Sequence, residues 1–293
     1  MECERSLGAH LVDLAEQKMF EVRLKLRGGL GNQLFQYIAA AFYARKFDSR
    51  LLIDDSGIYR HRDKSRTAWL REIDYIETFG FMNVEWISNS RRMYSRFKNR
   101  IEANEIVNDE NSLKSVQKIS RNIVIHDWFI NKHYVEEFQQ GNPNGALKRS
   151  ELKLRNSLSV ENSIFSGKKA ALHIRLGDFK NTSWGTLPLD WYLARVRSLE
   201  IAGIEELDCY SDELFLLKEI ISEWKLDLNF RFPEEKSPLN PHELLFVLSR
   251  YSTFISSNSS LSWWASYFNP DSNAKVLCNW QESLRLENWK YFE

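Results

Sequence analysis

Over residues 20–26 the apolar Phe20, Val22, Leu24 and Leu26 alternate with Glu21, Arg23 and Lys25. A period of two is that of a half-buried strand. The run enters Arg27-Gly28-Gly29-Leu30-Gly31-Asn32-Gln33 and then a largely apolar stretch over 34–47 that predicts a helix. Strand, glycine loop and helix in this order form the first βα unit of a Rossmann-like half. Apolar runs at 51–53, closed by Asp54-Asp55, and at 122–126, followed by Asp127-Trp128-Phe129, predict two more strands. Residues 56–120 are charged and mixed and predict helices and long loops. At the start, Leu7, Leu11 and Leu14 recur at helical spacing among polar neighbours, so residues 1–18 read as an amphipathic appendage.

The breaker cluster Gly141-Asn142-Pro143-Asn144-Gly145 and the polar stretch up to Lys169 place a domain boundary near residue 160. The expected division is an extension at 1–18, a Rossmann-like domain at 19–160 and a second at 161–293. In the second half, an apolar run from Ala170 ends in His173-Ile174-Arg175-Leu176-Gly177-Asp178. Alternation puts His173 and Arg175 on one face of this strand and Leu172 and Ile174 on the other. Asp190 is the expected N-cap of a helix reaching 202–203. A short strand at 207–210 ends in Ser211-Asp212-Glu213, ahead of a helix at 214–224. Asn240-Pro241-His242-Glu243 has an N-cap, a first-position proline and an acid at the third position. A strand at 253–256 leads into Ser257-Asn258-Ser259-Ser260 and a helix with Trp263-Trp264, and residues 281–291 predict a final helix.

The chemistry sits where strands end. Ligands of open α/β sheets bind at the carboxyl edge, so Arg175 there, beside His173, suits an anionic ligand such as a diphosphate. The bland alternative is a surface ion pair between Arg175 and Asp178. Small polar Asn258, Ser259 and Ser260 at a strand-to-helix junction turn backbone N–H groups and hydroxyls toward an anion. Ser211 and Asp212 either hold ribose hydroxyls or a base edge, or cap the next helix. Gly29 and Gly31 begin a dinucleotide fingerprint, but its third glycine position is Leu34, so that signal fails. Asn32 and Gln33 instead offer amides to hydroxyls, with a tight turn capped by Asn32 as the alternative. Trp128 reads as core in preference to an acceptor platform.

Composition narrows the classes. Lys plus Arg equals Asp plus Glu at 40 each, so no global field draws the 293-residue chain onto nucleic acid. Cys3, Cys209 and Cys278 are widely spaced, which excludes a zinc cluster or disulfide framework and fits a reducing compartment. No segment approaches the roughly 20 apolar residues of a membrane helix, and no secretory apolar region opens the chain. The expectation is a cytoplasmic protein. Residues 1–18 or the basic runs at 60–71 and 91–100 are the surfaces that would meet the inner face of a membrane. Most of the ten tryptophans should be core, although sugar clefts also use flat aromatic faces.

Four stretches in this order resemble glycosyltransferase family 11, the α-1,2-fucosyltransferases. Residues 27–37 look like its GxLGNQxFQY element and 173–178 like its HxRRxD motif. Tyr210-Ser211-Asp212 resembles its second motif, 255–268 its ANSSFSWWAAY-like third, and 187–192 a PLxYY-like piece. The resemblance spans residue 19 to the end. It implies a GT-B-like α/β fold of two facing Rossmann-like domains, with GDP-L-fucose as donor substrate in the C-terminal one and no cofactor. It also implies inverting, metal-independent transfer to a galactose 2-hydroxyl of a glycan acceptor, of the bacterial type that builds lipid-linked surface glycans. Leu176 stands where the motif has a second arginine, and Glu213 where a second Asp is common.

On this reading Arg175 forks onto the departing diphosphate, aided by Asn258, Ser259 and Ser260. Gly29, Gly31, Asn32 and Gln33 face it across the cleft, and Ser211 and Asp212 serve the nucleoside. Asp178 is the first candidate to take the acceptor's proton, or else it orients Arg175 or His173. No carboxylate pair stands beside these groups to hold a metal. A glycoside hydrolase would need two opposed carboxylates and no nucleotide site. A binding-only, lectin-like or degenerate GDP-sugar protein is the rival from another class, and a transferase of a related GDP-deoxysugar the rival within it.

Overall fold

The computed structural model describes residues 21–56, 58, 68–81, 83–87, 105–107, 122–140, 152–155, 165, 167–177, 186–271, 273–285 and 290–291. The extension at 1–18, the basic run at 91–100, most of that at 60–71, the breaker cluster at 141–145, the boundary near 160 and Asp178 lie outside them. The fold is α/β and is built on two parallel sheets. The first contains β1 (Glu21–Lys25), β2 (Arg50–Asp54), β3 (Val84–Trp86), β4 (Glu105–Val107) and β5 (Ile123–Ile125) in the order β3-β2-β1-β5-β4. The second contains β6 (Lys169–Ile174), β7 (Glu206–Ser211), β8 (Asn229–Arg231), β9 (Thr253–Ile255), β10 (Lys275–Leu277) and β11 (Lys290–Tyr291) in the order β11-β10-β9-β6-β7-β8.

Helices follow the strands, as parallel crossovers require. They are α1 (Leu30–Lys46), α2 (Tyr75–Phe79), α3 (Lys132–Gln140), α4 (Leu189–Ile201), α5 (Leu214–Ser222), α6 (Pro241–Leu248) and α7 (Ser260–Tyr267). The alternation read over 20–26 survives in β1, where Val22 and Leu24 are fully buried between half-exposed Glu21, Arg23 and Lys25. The capping box at Asn240 is formed: its N–H donates to Glu243 Oε2 at 2.7 Å. Two other expectations are corrected. Pro188, not Asp190, caps α4, which leaves Asp190 in the first turn, where its charge still favours the helix dipole. The final helix expected over 281–291 is instead a short 3₁₀ turn, Glu282–Leu284, with β11 beyond 286–289 pairing parallel to β10.

In each sheet the strand order reverses beside its first strand: between β1 and β5 in one, between β6 and β9 in the other. Such a reversal opens a crevice at the carboxyl edge, because the connections on its two sides leave in opposite directions. The N-termini of α1 and α7 meet there. The Trp264 indole N–H donates to the Gly31 carbonyl at 3.0 Å, and Phe35 packs against Trp263 and Trp264 with centroids 4.7 and 5.0 Å apart. One apolar cluster therefore runs from Val22 and Leu34 to Trp263 and Tyr267, joining the two halves beneath the carboxyl edges.

Candidate active site

Arg175 leaves the carboxyl end of β6 at the switch point of the second sheet, next to the loop that follows β9. Its Nε lies 3.2 Å from Asp212 Oδ2. The same carboxylate accepts from the Leu176 N–H at 2.9 Å and the Gly177 N–H at 3.0 Å. Asp212 thus clamps the loop and holds the guanidinium, and the Arg175 side chain stays about a third exposed at 31%. Gly177 is needed for this close approach, since a Cβ there would fall 2.6 Å from Asp212 Oδ2. Ser211 Oγ accepts from the Glu213 N–H at 3.1 Å, so Ser211 and Asp212 shape the turn around Arg175.

Leu176 is buried with Leu172, Ile174, Tyr192 and Val196 on the far face of β6. Its side chain fills an apolar slot, so a leucine there takes nothing from the Arg175 side. His173 has the expected face but not the expected exposure. It is 1% exposed, and its Nδ1 shares hydrogen bonds with Ser262 Oγ at 2.6 Å and Ser257 Oγ at 3.3 Å. Burial, with the charge of Arg175 added, pushes its imidazole down to about 3, so it is neutral at ordinary pH. The sequence places it among the catalytic groups beside Arg175, whereas its side chain is enclosed against the serine loop. The physical reason is that β6 is a central strand covered on both faces.

That loop forms the other wall. Ser259 caps α7, its Oγ accepting from the Leu261 N–H at 3.2 Å. Ser260 Oγ donates across to Asn32 Oδ1 at 2.7 Å, and Asn258 is half-buried at the rim. The expectations for the first glycine loop divide. Asn32 does face the other half, while Gln33 is fully buried and locks the turn: its amide donates to the Gly28 carbonyl at 2.9 Å and accepts from the Leu70 N–H at 3.0 Å. Gln36 does the same for Arg27, bonding both its N–H and its carbonyl at 3.1 Å. Gly31 serves packing, since a Cβ there would lie 2.4 Å from the Leu261 nitrogen and 2.5 Å from the Ser260 carbonyl carbon. Gly29 is the N-cap of α1, exposed, with nothing within 4 Å of an added Cβ.

Trp128 corrects its core assignment: it is 39% exposed, with the Arg27 guanidinium 4.8 Å from the ring centroid. Glu234, in the 3₁₀ turn after β8, was not singled out from sequence because no motif surrounds it. Burial raises its carboxyl above the usual carboxylate range, opposed by hydrogen bonds from the Leu239 and Ser211 backbone, and Asp212 lies close by. Among the described residues, no three His, Cys, Asp or Glu side chains converge in a way that could hold a metal ion. Asp55 is buried against Arg71 at 2.8 Å, and Asp54 accepts from the Ser56 N–H at 2.9 Å.

No family model matches the chain. It is 23% identical over 301 residues to an O-antigen biosynthesis glycosyltransferase, WbnK of Escherichia coli, covering 90% of this chain and 98% of that one. Among solved structures it is similar to NodZ α-1,6-fucosyltransferase of Bradyrhizobium soaked with GDP-fucose. The TM-score is 0.52 at 14% identity, over 86% of this chain and 94% of that one. A mutant of Arabidopsis thaliana FUT1 in complex with GDP aligns with a TM-score of 0.51 at 13% identity, over 93% and 72% of the two chains. These likenesses, with two parallel sheets meeting at their carboxyl edges, give the chain an α/β fold of the GT-B type.

Proposed function

We propose that this chain is a glycosyltransferase of fucosyltransferase type, moving L-fucose from GDP-β-L-fucose to a sugar hydroxyl. The finer reading is inverting transfer to the 2-hydroxyl of a terminal galactose, giving an α-1,2 linkage. The observation that carries the proposal is the Arg175 guanidinium, pinned by Asp212 at the β6/β9 switch point beside the N-terminus of α7. A forked, permanently charged group and a helix terminus at one crevice suit a departing diphosphate. The name of the Escherichia coli relative and the ligands named for the two solved neighbours support the same reading.

In the proposed reaction the acceptor oxygen attacks the anomeric carbon as the bond to the β-phosphate oxygen breaks, and the electron pair leaves on GDP. Arg175 and the α7 terminus stabilise that developing charge in place, without reorganising at the moment of transfer. His173, neutral and buried, keeps Ser257 and Ser262 in register and so aims α7. The acceptor proton passes to a carboxylate, for which Asp178 remains the proposed base. Ser259, Asn258, Asn32 and Gly29 line the proposed donor crevice, with Ser211 and Asp212 beneath it. The division into an acceptor-side half at 19–160 and a donor half at 161–293 belongs to the same proposal.

The test is calorimetric titration of the protein with GDP, with ADP and UDP as comparisons. GDP is expected to bind and to raise the melting temperature, since a ligand held only by the native state stabilises it by mass action. Absence of GDP binding alongside binding of another nucleotide would overturn the donor assignment.

A further inference from the structure

The carboxyl edge of the first sheet carries an exposed aromatic that the donor site does not use. Trp128 follows β5 by three positions, at the β1/β5 switch point, and is 39% exposed although large indoles are normally covered. Phe129, the next residue, takes φ 50°, a left-handed conformation rarely adopted outside glycine, while its own ring is buried at 3% exposure. Phe129 is anchored inward in that conformation, and strain of this kind persists where the surroundings impose it, often at ligand sites.

The indole is also held by Gly28 at its edge and by Arg27 over its face. Its six-membered edge rests on Gly28, at φ 71°, where a Cβ would meet Trp128 Cζ3 at 2.6 Å and Asn32 Nδ2 at 2.9 Å. Trp128 and Asn32 therefore flank the same glycine. Asn32 in turn receives the Ser260 hydroxyl at 2.7 Å, at the N-terminus of α7. The Arg27 guanidinium lies over the indole ring, 4.8 Å from its centroid, while its backbone is fixed by Gln36. An aromatic ring with a guanidinium stacked over one face thus stands one glycine away from the residue that touches the proposed donor loop.

We propose that Trp128 and Arg27 form the acceptor-sugar subsite: the indole, braced on one face by the Arg27 guanidinium, stacks its other face on the C–H face of a pyranose. This rests on the sugar-transfer reading above and adds to it the residues that choose the acceptor. A galactopyranose fits the pair well, because its axial 4-hydroxyl leaves the C3, C4 and C5 hydrogens together on one face, suited to an aromatic ring.

The experiment uses the full chain carrying 5-fluorotryptophan, with the Trp128 fluorine resonance identified as the one missing from Trp128→Phe. Lactose, added with GDP present, is expected to shift that resonance, and cellobiose at the same concentration to leave it in place. In steady-state transfer, Trp128→Ala should raise the KM for lactose about tenfold or more, with kcat changed by less than about threefold, the pattern of lost ground-state binding. Trp128→Phe, which keeps a smaller ring, should fall between. A GDP-binding protein whose Trp128 resonance ignores lactose, or a Trp128→Ala variant with an unchanged lactose KM, overturns the subsite. Failure of the donor reading looks different: no GDP binding and no transfer, with the fluorine shift on lactose still reporting on Trp128 by itself.

Discussion

Gly31→Ala puts a methyl group where two helix N-termini touch. The added Cβ would lie 2.4 Å from the Leu261 nitrogen and 2.5 Å from the Ser260 carbonyl carbon, both backbone atoms that no side-chain rotation can clear. α1 and α7 must therefore part. Overpacking of this kind costs about 1–3 kcal/mol. Parting also strains the bond from the Trp264 indole to the Gly31 carbonyl, now 3.0 Å and buried. A buried donor left without its partner costs roughly 1–3 kcal/mol more. Against this stands the better intrinsic helix preference of alanine, about 1 kcal/mol. The net expectation is a loss of about 1–5 kcal/mol together with weaker GDP binding, because the helix that moves carries Ser259 and Ser260. Gly29→Ala is the matched control: with nothing within 4 Å, it should cost under about 1 kcal/mol, the loss of a tolerable N-cap residue. The assay is urea denaturation followed by tryptophan fluorescence, with GDP titration on each variant. Equal midpoints for Gly31→Ala and Gly29→Ala would refute the reasoning, since only one of the two meets backbone.

Arg175→Lys should keep the fold and lose turnover by a barrier increase on the order of 2–4 kcal/mol, as lysine keeps the charge without the fork; near-normal kcat in the folded variant would remove Arg175 from the leaving-group role. His173, held down to about 3 in the fold, is neutral there but protonates near 6.5 when unfolded. Its contribution is therefore complete above about pH 6.5 and is lost as pH falls toward 3, at up to about 1.4 kcal/mol per pH unit. Denaturation midpoints of the wild type and His173→Gln should accordingly converge on acidification, and parallel pH profiles would contradict the assignment. Transfer should continue in excess chelator within about twofold, under about 0.5 kcal/mol of barrier, because Arg175 and the α7 terminus supply the charge; loss of single-turnover transfer, restored by one metal, would place an ion in the site.

Patterns that close within a few residues could be read directly from the chain. The two-residue alternation of β1, the capping box from Asn240 to Glu243 and the strand-end placement of Arg175 are each determined by neighbours in sequence, and each is present in the fold. Tertiary structure alone decided what those elements meet. That β9 lies beside β6, making Arg175 and Ser259 two walls of one crevice, depends on a crossover rather than on any local period. Asp212 reaches the Leu176 N–H across 36 positions and Ser260 reaches Asn32 across 228, beyond what spacing along one helix or strand encodes. Gln33 looked like a ligand-facing amide, because a sequence shows a polar side chain but not the buried backbone group that it satisfies. His173 became a neutral internal strut because both faces of β6 are covered. Trp128 went the other way: composition sends an indole inward, yet it stands 39% exposed next to the left-handed Phe129.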